Sequence, residues 1–328
     1  MKINVSKLAK ISFTSTVLAL AGCATTANEN TSKAEVLALL KSIETGDTAA
    51  VGSINPDKYI QHNLAVADGL AGFGAVLQAL PKDSAKVNTV RAFRDGDYVF
   101  AHSEYNFFGP KIGFDIFRFE DGKIVEHWDN LQATAKTANP SGHSMIDGPV
   151  VVVDRHKTAL NKVLVKSFVE DILVNGRMEK LAGYFDGDRY IQHNPQVADT
   201  LSGLGAALHA MATQGITLKY DSVHQVLGEG NFVLTVSEGQ LAGQHTSFYD
   251  LFRVENGKIA EHWDTIETIP AKEQWKNNNG KLNNDVGRPA HAINPDSART
   301  RLSLSHQPAD GQPLPLLPQL LRLRAGSP

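Results

Sequence analysis

The feature that most constrains this chain is that it carries one sequence twice. Tyr59-Ile60-Gln61-His62-Asn63 returns as Tyr190-Ile191-Gln192-His193-Asn194, and Val66-Ala67-Asp68 as Val197-Ala198-Asp199. Gly72, Gly74 and Ala75 return as Gly203, Gly205 and Ala206, and Phe117-Arg118 as Phe252-Arg253. Gly122-Lys123-Ile124 returns as Gly257-Lys258-Ile259, and Glu126-His127-Trp128-Asp129 as Glu261-His262-Trp263-Asp264. Two copies are too few for a solenoid, in which three or more repeats bury a continuous core. They predict two similar globular domains that pack together as a pseudo-dimer.

Each copy has the same order of elements. An amphipathic helix comes first, with Val36, Leu37, Leu39, Leu40 and Ile43 on one broad face and Gly46 at its end. In copy two the helix covers Lys157 to Asn175 and stops at Gly176. A short helix then leads to the Tyr-Ile-Gln-His-Asn segment. A glycine-punctuated helix follows, Leu70 to Leu80 or Leu201 to Met211. The last two strands form a hairpin around Asp121-Gly122 or Asn256-Gly257, the dipeptides of a turn whose two central residues need positive φ. Helices first and an antiparallel sheet last predict an α+β class, with helices covering one sheet face. The domains are expected at 33–137 and 155–283, joined by a linker over 138–154.

The ends of the chain are of a different character. Lys2, Lys7 and Lys10 precede an apolar run from Ile11 to Ala21, too short to span a bilayer and matched to a signal peptide over 1–22. The run ends in Leu20-Ala21-Gly22-Cys23, which resembles a bacterial lipobox; Cys23, the only cysteine, is then the lipidation site. The small polar stretch 23–32 reads as a tether. Ala24 stands where an Asp would signal inner-membrane retention, so the expected place is the outer membrane, facing the periplasm. Cleavage removes three lysines and no acid, taking the formal charge from −3 to −6. That charge gives no reason to expect nucleic acid. With no second cysteine there are no internal disulfides. Residues 284–328 hold seven of the 14 prolines and no periodic pattern, and read as a disordered or cloning-derived tail.

An uninterrupted hairpin register sorts the side chains. One face then carries Asp115, Phe117, Phe119, Ile124, Glu126 and Trp128, and in copy two Asp250, Phe252, Val254, Ile259, Glu261 and Trp263. The large aromatics assign this face to a pocket under the helices. Phe117, Phe252, Trp128, Trp263, Glu126 and Glu261 are its expected walls, and Asp115 and Asp250 its acid–base candidates, since burial raises a carboxyl pKa towards neutrality. Asp115 and Asp250 are equally readable as structural groups held by Arg or backbone donors, and for Glu126 and Glu261 the structural reading is preferred. A β-bulge would bring His127 and Asp129 inside instead. His62 and His193 either line the pocket as the group most easily tuned near neutral pH or cap local backbone. No metal set is expected, because alternation splits Glu-His-Trp-Asp between two faces. The chain has no G-x-S-x-G and no P-loop. Gly72-Phe73-Gly74 follows no strand, so close helix packing explains it better than a dinucleotide.

Tyr-Ile-Gln-His-Asn, Asp-x-Phe-Arg, Gly-Lys-Ile and Glu-His-Trp-Asp together resemble the SnoaL-like polyketide-cyclase family of the nuclear-transport-factor-2-like superfamily, over about three quarters of the chain. The resemblance implies two tandem cones, each a curved, mainly antiparallel sheet wrapped on helices around an apolar pocket. It also implies a pocket carboxylate and histidine; by residue type these are Asp115, Asp129 and His62, and Asp250, Asp264 and His193. The expected function is cofactor-independent acid–base chemistry of the aldol, cyclase, isomerase or dehydratase type on a small apolar or aromatic carbonyl compound. The alternative is a non-catalytic periplasmic binding or scaffold lipoprotein using the same pocket.

Overall fold

The computed structural model describes residues 16–80 and 84–282, with side chains from 31 onward. The lysine-rich start of the expected signal peptide, the Cys23 side chain and the tail 284–328 lie outside that description. Helix α1, Thr16–Thr45, runs through the expected tether 23–32, which has neither Pro nor Gly to interrupt it. Among the described residues no helix is long and apolar enough to cross a membrane. From Ser32 onward α1 is the first helix of domain one, burying Val36, Leu39 and Leu40 and ending at Gly46 with φ +70. Copy two repeats it as α3, Thr158–Phe168, extended by a π-helical turn to Val174.

The remaining elements follow the expected order twice. Domain one has β1 (Ile60–Gln61), α2 (Gly69–Ala79), β2 (Lys86–Asp95), β3 (Tyr98–Asn106), β4 (Pro110–Glu120) and β5 (Lys123–Ala133). Domain two has β6 (Ile191–Gln192), α4 (Leu201–Thr213), β7 (Leu218–Glu229), β8 (Phe232–Leu241), β9 (Gln244–Glu255) and β10 (Lys258–Thr268). Each makes a five-stranded sheet, in the orders β1-β5-β4-β3-β2 and β6-β10-β9-β8-β7, antiparallel except for the short first strand. The α+β reading holds for both copies. Asp121 and Asn256 adopt positive φ beside Gly122 and Gly257, as the hairpin dipeptides require. Gly72 is tied to close packing: a Cβ there would stand 1.8 Å from the Ala67 carbonyl oxygen.

The hairpin register departs from simple alternation. Glu120 pairs with Lys123 and Phe119 with Ile124, but Arg118 then pairs with Glu126, leaving Val125 as an extra residue. In copy two Val254 pairs with Ile259 and Arg253 with Glu261, leaving Ala260 over. A bulge adds one residue to one strand and flips every later side chain on it. The helix-facing side therefore carries Asp115, Phe117 and Phe119 with Ile124, His127 and Asp129. Glu126 and Trp128, expected as pocket walls, lie on the opposite face, as do Glu261 and Trp263. Phe117 and Phe252 stay under the helices, in cores with Val36 and Leu39 or Val165 and Phe168.

That opposite face is not solvent-exposed. Phe93, Phe114, Ile116 and Trp128 of domain one share a buried cluster with Phe232, Leu234, Leu251 and Trp263 of domain two. The two sheets pack back to back. Polar ties sew the seam: Asn130 Nδ2 donates to the Thr265 carbonyl at 2.8 Å, and Ile266 N–H to Gln132 Oε1 at 2.8 Å.

Two arms complete the assembly, each leaving its own sheet to lie on the other domain. Asn139, after β5, donates to the carbonyls of Gln192 and Val197 at 2.7 and 3.0 Å. Asn277, after β10, donates to those of Asn63 and Val66 at 2.8 and 2.9 Å. The repeat therefore extends into the segment 138–154, expected to be only a linker.

Candidate functional site

Each cone holds a cluster of two aspartates and a histidine on its helix-facing side. Asp115 on β4 and Asp129 on β5 are direct cross-strand partners, as are Asp250 and Asp264. Like charges placed opposite each other repel, and the bulge sets a histidine beside each pair. His127 Nε2 lies 3.1 Å from Asp115 Oδ1, and His262 Nε2 3.0 Å from Asp250 Oδ1. Each imidazole stacks on the phenyl ring paired with it, Phe117 at 4.6 Å and Phe252 at 4.8 Å between centroids. All six polar residues are at least nine-tenths buried.

The tautomer follows from the neighbours. His127 Nδ1 lies 3.0 Å from Gln61 Oε1, an oxygen that also accepts the Asn63 N–H at 2.8 Å. Nδ1 must therefore carry the proton and donate. In copy two His262 Nδ1 lies 3.1 Å from Gln192 Oε1, an acceptor, and donates to it. Nε2 then faces a carboxylate oxygen, a contact that needs one further proton shared between imidazole and carboxyl. Such a pair can take and return a proton without leaving its hydrogen bonds.

The electrostatics differ between copies. Burial, helped by the Asp129 charge, raises the Asp115 carboxyl above its ordinary value against the pull of His127 and Tyr105. In copy two the raised carboxyl is Asp264, again by burial and by the Asp250 charge. Burial works against the His262 cation, but its hydrogen bond to Asp250 and the charges of Asp264 and Asp250 outweigh it and lift its pKa. Asn63 Nδ2 donates to Asp129 Oδ2 at 2.6 Å, and Asn194 Nδ2 to Asp264 Oδ2 at 2.7 Å.

A tyrosine closes each cluster from a different strand. Tyr105 on β3 donates to Asp115 Oδ2, whereas Tyr220 on β7 donates to Asp250 at 3.2 Å. Tyr105 pairs across the sheet with Val87; Tyr220 pairs with Gly239. The phenol has crossed from one member of a strand pair to the other. At Gly239 a Cβ would stand 1.9 Å from the Lys219 carbonyl oxygen, so that position holds no side chain.

His62 and His193 do not join these clusters. On the short strand beside β5, Gln61 points into the cone, so its neighbour His62 points out of it. His62 stacks on Trp128 at 4.6 Å, donates from Nδ1 to the Gly280 carbonyl at 2.7 Å, and meets Glu126 Oε1 through Nε2 at 2.9 Å. His193 repeats this with Trp263, the Ser144 carbonyl and Glu261. Arg118 and Arg253 hold the same glutamates at 2.6 Å. These residues join sheet, arm and neighbouring domain. His127, His262, Gln61 and Gln192 take the inner place instead. The repeated Arg118–Glu126 and Arg253–Glu261 pairs were the available sign of the bulge, because only the bulged register sets those opposite charges face to face.

The family described as SnoaL-like domain matches residues 36–127 and again 165–262, more than half of the chain. Among solved structures, TsrD from Streptomyces laurentii is similar at 23% identity over 30% of this chain and 90% of that one, with a TM-score of 0.26. IdmH, a putative polyketide cyclase from Streptomyces antibioticus, is similar at 19% over 30% and 89%, TM-score 0.27. An NTF-2 like protein of unknown function from Burkholderia xenovorans LB400 is similar at 17% over 34% and 89%, TM-score 0.30. No curated protein matches the chain.

Proposed function

Starting from a chain that belongs to the SnoaL-like domain family in both of its halves, we propose that domain two is a cofactor-independent acid–base catalyst acting on a carbonyl compound. One observation carries this reading: the buried Asp250–His262 pair, 3.0 Å apart, with Nδ1 committed to Gln192 and one proton to share. Asp250 takes the proton α to the carbonyl, and the electron pair moves onto the carbonyl oxygen. Protonated His262 donates from Nε2 to that oxygen as charge develops, so the enolate forms as a hydrogen-bonded species. Aldol condensation, isomerisation and dehydration all begin with this step. Trp263 has no part in it, since its Nε1 donates to the Asp147 carbonyl behind the sheet.

Deuterium exchange tests the reading without knowledge of the product. Enolisable carbonyl compounds incubated with the protein in D2O exchange their α-protons, and Asp250→Asn slows this by about 100-fold or more. Exchange at an unchanged rate in Asp250→Asn rejects the assignment.

Domain one favours a second reading for itself. Lys281 from the arm sits on Asp129 at 3.3 Å, so its cluster is held as a salt bridge and serves as scaffold. We also propose that the chain is an exported lipoprotein anchored through Cys23. The lipobox Leu20-Ala21-Gly22-Cys23 supports this, and Cys23→Ser should then abolish fatty-acid labelling.

A further inference from the structure

The two arms end differently over two otherwise equivalent clusters. Past Gly280, Lys281 turns into domain one, where Nζ lies 2.7 Å from Glu267 Oε2 and 3.3 Å from Asp129 Oδ1. Its side chain is only 4% exposed. Burial works against the ammonium, and the charges of Glu267 and Asp129 more than restore it.

In the other arm the carbonyl that meets His193 Nδ1 is that of Ser144, and the residue after it is the buried, uncharged Met145. His143 turns aside, to Asp199 at 3.2 Å and Asp147 at 3.7 Å. Where domain two supplies Glu267 at the end of β10, domain one supplies neutral Gln132 at the end of β5. Lysine and glutamate are thus present together over Asp129 and absent together over Asp264. Asp264 is 6% exposed, and its Oδ1 has no hydrogen-bond partner among the described residues. A buried carboxylate oxygen left unpaired costs about 1–3 kcal/mol, a cost that a bound donor would remove.

We propose that Asp264 in domain two binds the protonated primary amine of a small ligand, at the place that the Lys281 ammonium occupies over Asp129 in domain one. The proposal rests on the acid–base reading and narrows it: the substrate is a carbonyl compound bearing an ammonium group. Asp264 holds the cation and Asp250 with His262 moves the proton. Domain one is the template, with a tethered amine already in place.

Calorimetric titration of the full chain with n-propylammonium chloride, against 1-propanol as the uncharged control, tests this without turnover. One equivalent of the ammonium should bind and the alcohol should not. Asp264→Asn should weaken binding at least 10-fold, as expected for loss of a charge-assisted bond. Lys281→Ala should open a second equivalent over Asp129. If that variant fails to fold, the wild-type and Asp264→Asn titrations still decide. No saturable binding, equal binding of propanol, or unchanged affinity in Asp264→Asn overturns the proposal. So does a titration in which Zn2+ binds through Asp264 and the ammonium does not. Failure of the acid–base reading is seen separately, as α-proton exchange that Asp250→Asn does not slow while ammonium binding persists.

Discussion

Domain one closes its acidic cluster with Lys281, and domain two leaves Asp264 Oδ1 unpaired. Much around the two sites is matched: the bulge, the Asp–His contact, the glutamine on the imidazole, and the asparagine on the outer aspartate. The tyrosine comes from a different strand in each copy, and the arm and strand-end residues differ, Lys281 with Glu267 against Met145 with Gln132. Duplication preserved the framework, and the arms supplied the divergence. A cluster neutralised by its own chain is suited to holding two domains together. A cluster of the same shape with a spare oxygen is suited to holding something else.

The largest effect is expected where this contrast is sharpest. Asp129→Asn leaves the buried Lys281 with Glu267 alone and should destabilise the chain by about 3 kcal/mol, as loss of one partner of a buried pair does. Urea denaturation reads this directly, and a cost below about 1 kcal/mol would mean that Lys281 does not lock domain one.

Next come the arms themselves. Asn139 and Asn277 each bridge two carbonyls of the opposite domain. Asn139→Ala and Asn277→Ala should each cost about 2 kcal/mol, because both leave buried acceptors unsatisfied. Unequal costs would show that the strapping is not symmetric and would confine the likeness of the copies to their sheets.

The smallest effect has the opposite sign. Asp264→Asn should stabilise the chain by about 1 kcal/mol near pH 7, since the amide carries no buried charge. Its carboxyl is raised in the folded state. Below the unfolded value of about 3.9 both states hold the proton, and the wild type keeps its full stability. As pH climbs through the raised folded value, that stability is lost. The Asn variant's advantage should therefore be absent near pH 3 and present at pH 7. Paired denaturation curves at the two pH values check this. A destabilisation as large as that of Asp129→Asn would make the two carboxylates equivalent and remove the contrast between the domains.

Much of this was legible in the linear chain. Repetition alone implied two domains, and the apolar spacing of Val36, Leu39 and Leu40 with Gly46 marked the first helix and its end. Asp121-Gly122 and Asn256-Gly257 placed both hairpins, because only a few residues tolerate two successive positive φ angles. These are local properties, set by neighbours within a turn or two. Asp115, Asp129, Asp250 and Asp264 were also identifiable by residue type and position.

What their side chains meet was decided elsewhere. Val125 and Ala260 themselves carry no signature of a bulge, whose one sign is the opposite charges of Arg118 with Glu126 and Arg253 with Glu261; that one extra residue exchanges Glu126 and Trp128 for His127 and Asp129 on the inner face. The tyrosines escaped comparison of the copies because Tyr105 and Tyr220 sit on opposite members of a strand pair. Lys281 lies 152 residues from Asp129, in an arm whose course depends on how the two sheets pack back to back. Local chemistry specifies helices, turns and strands. The partner of a buried charge is set by long-range packing, and only the assembled pair of domains brings those atoms together.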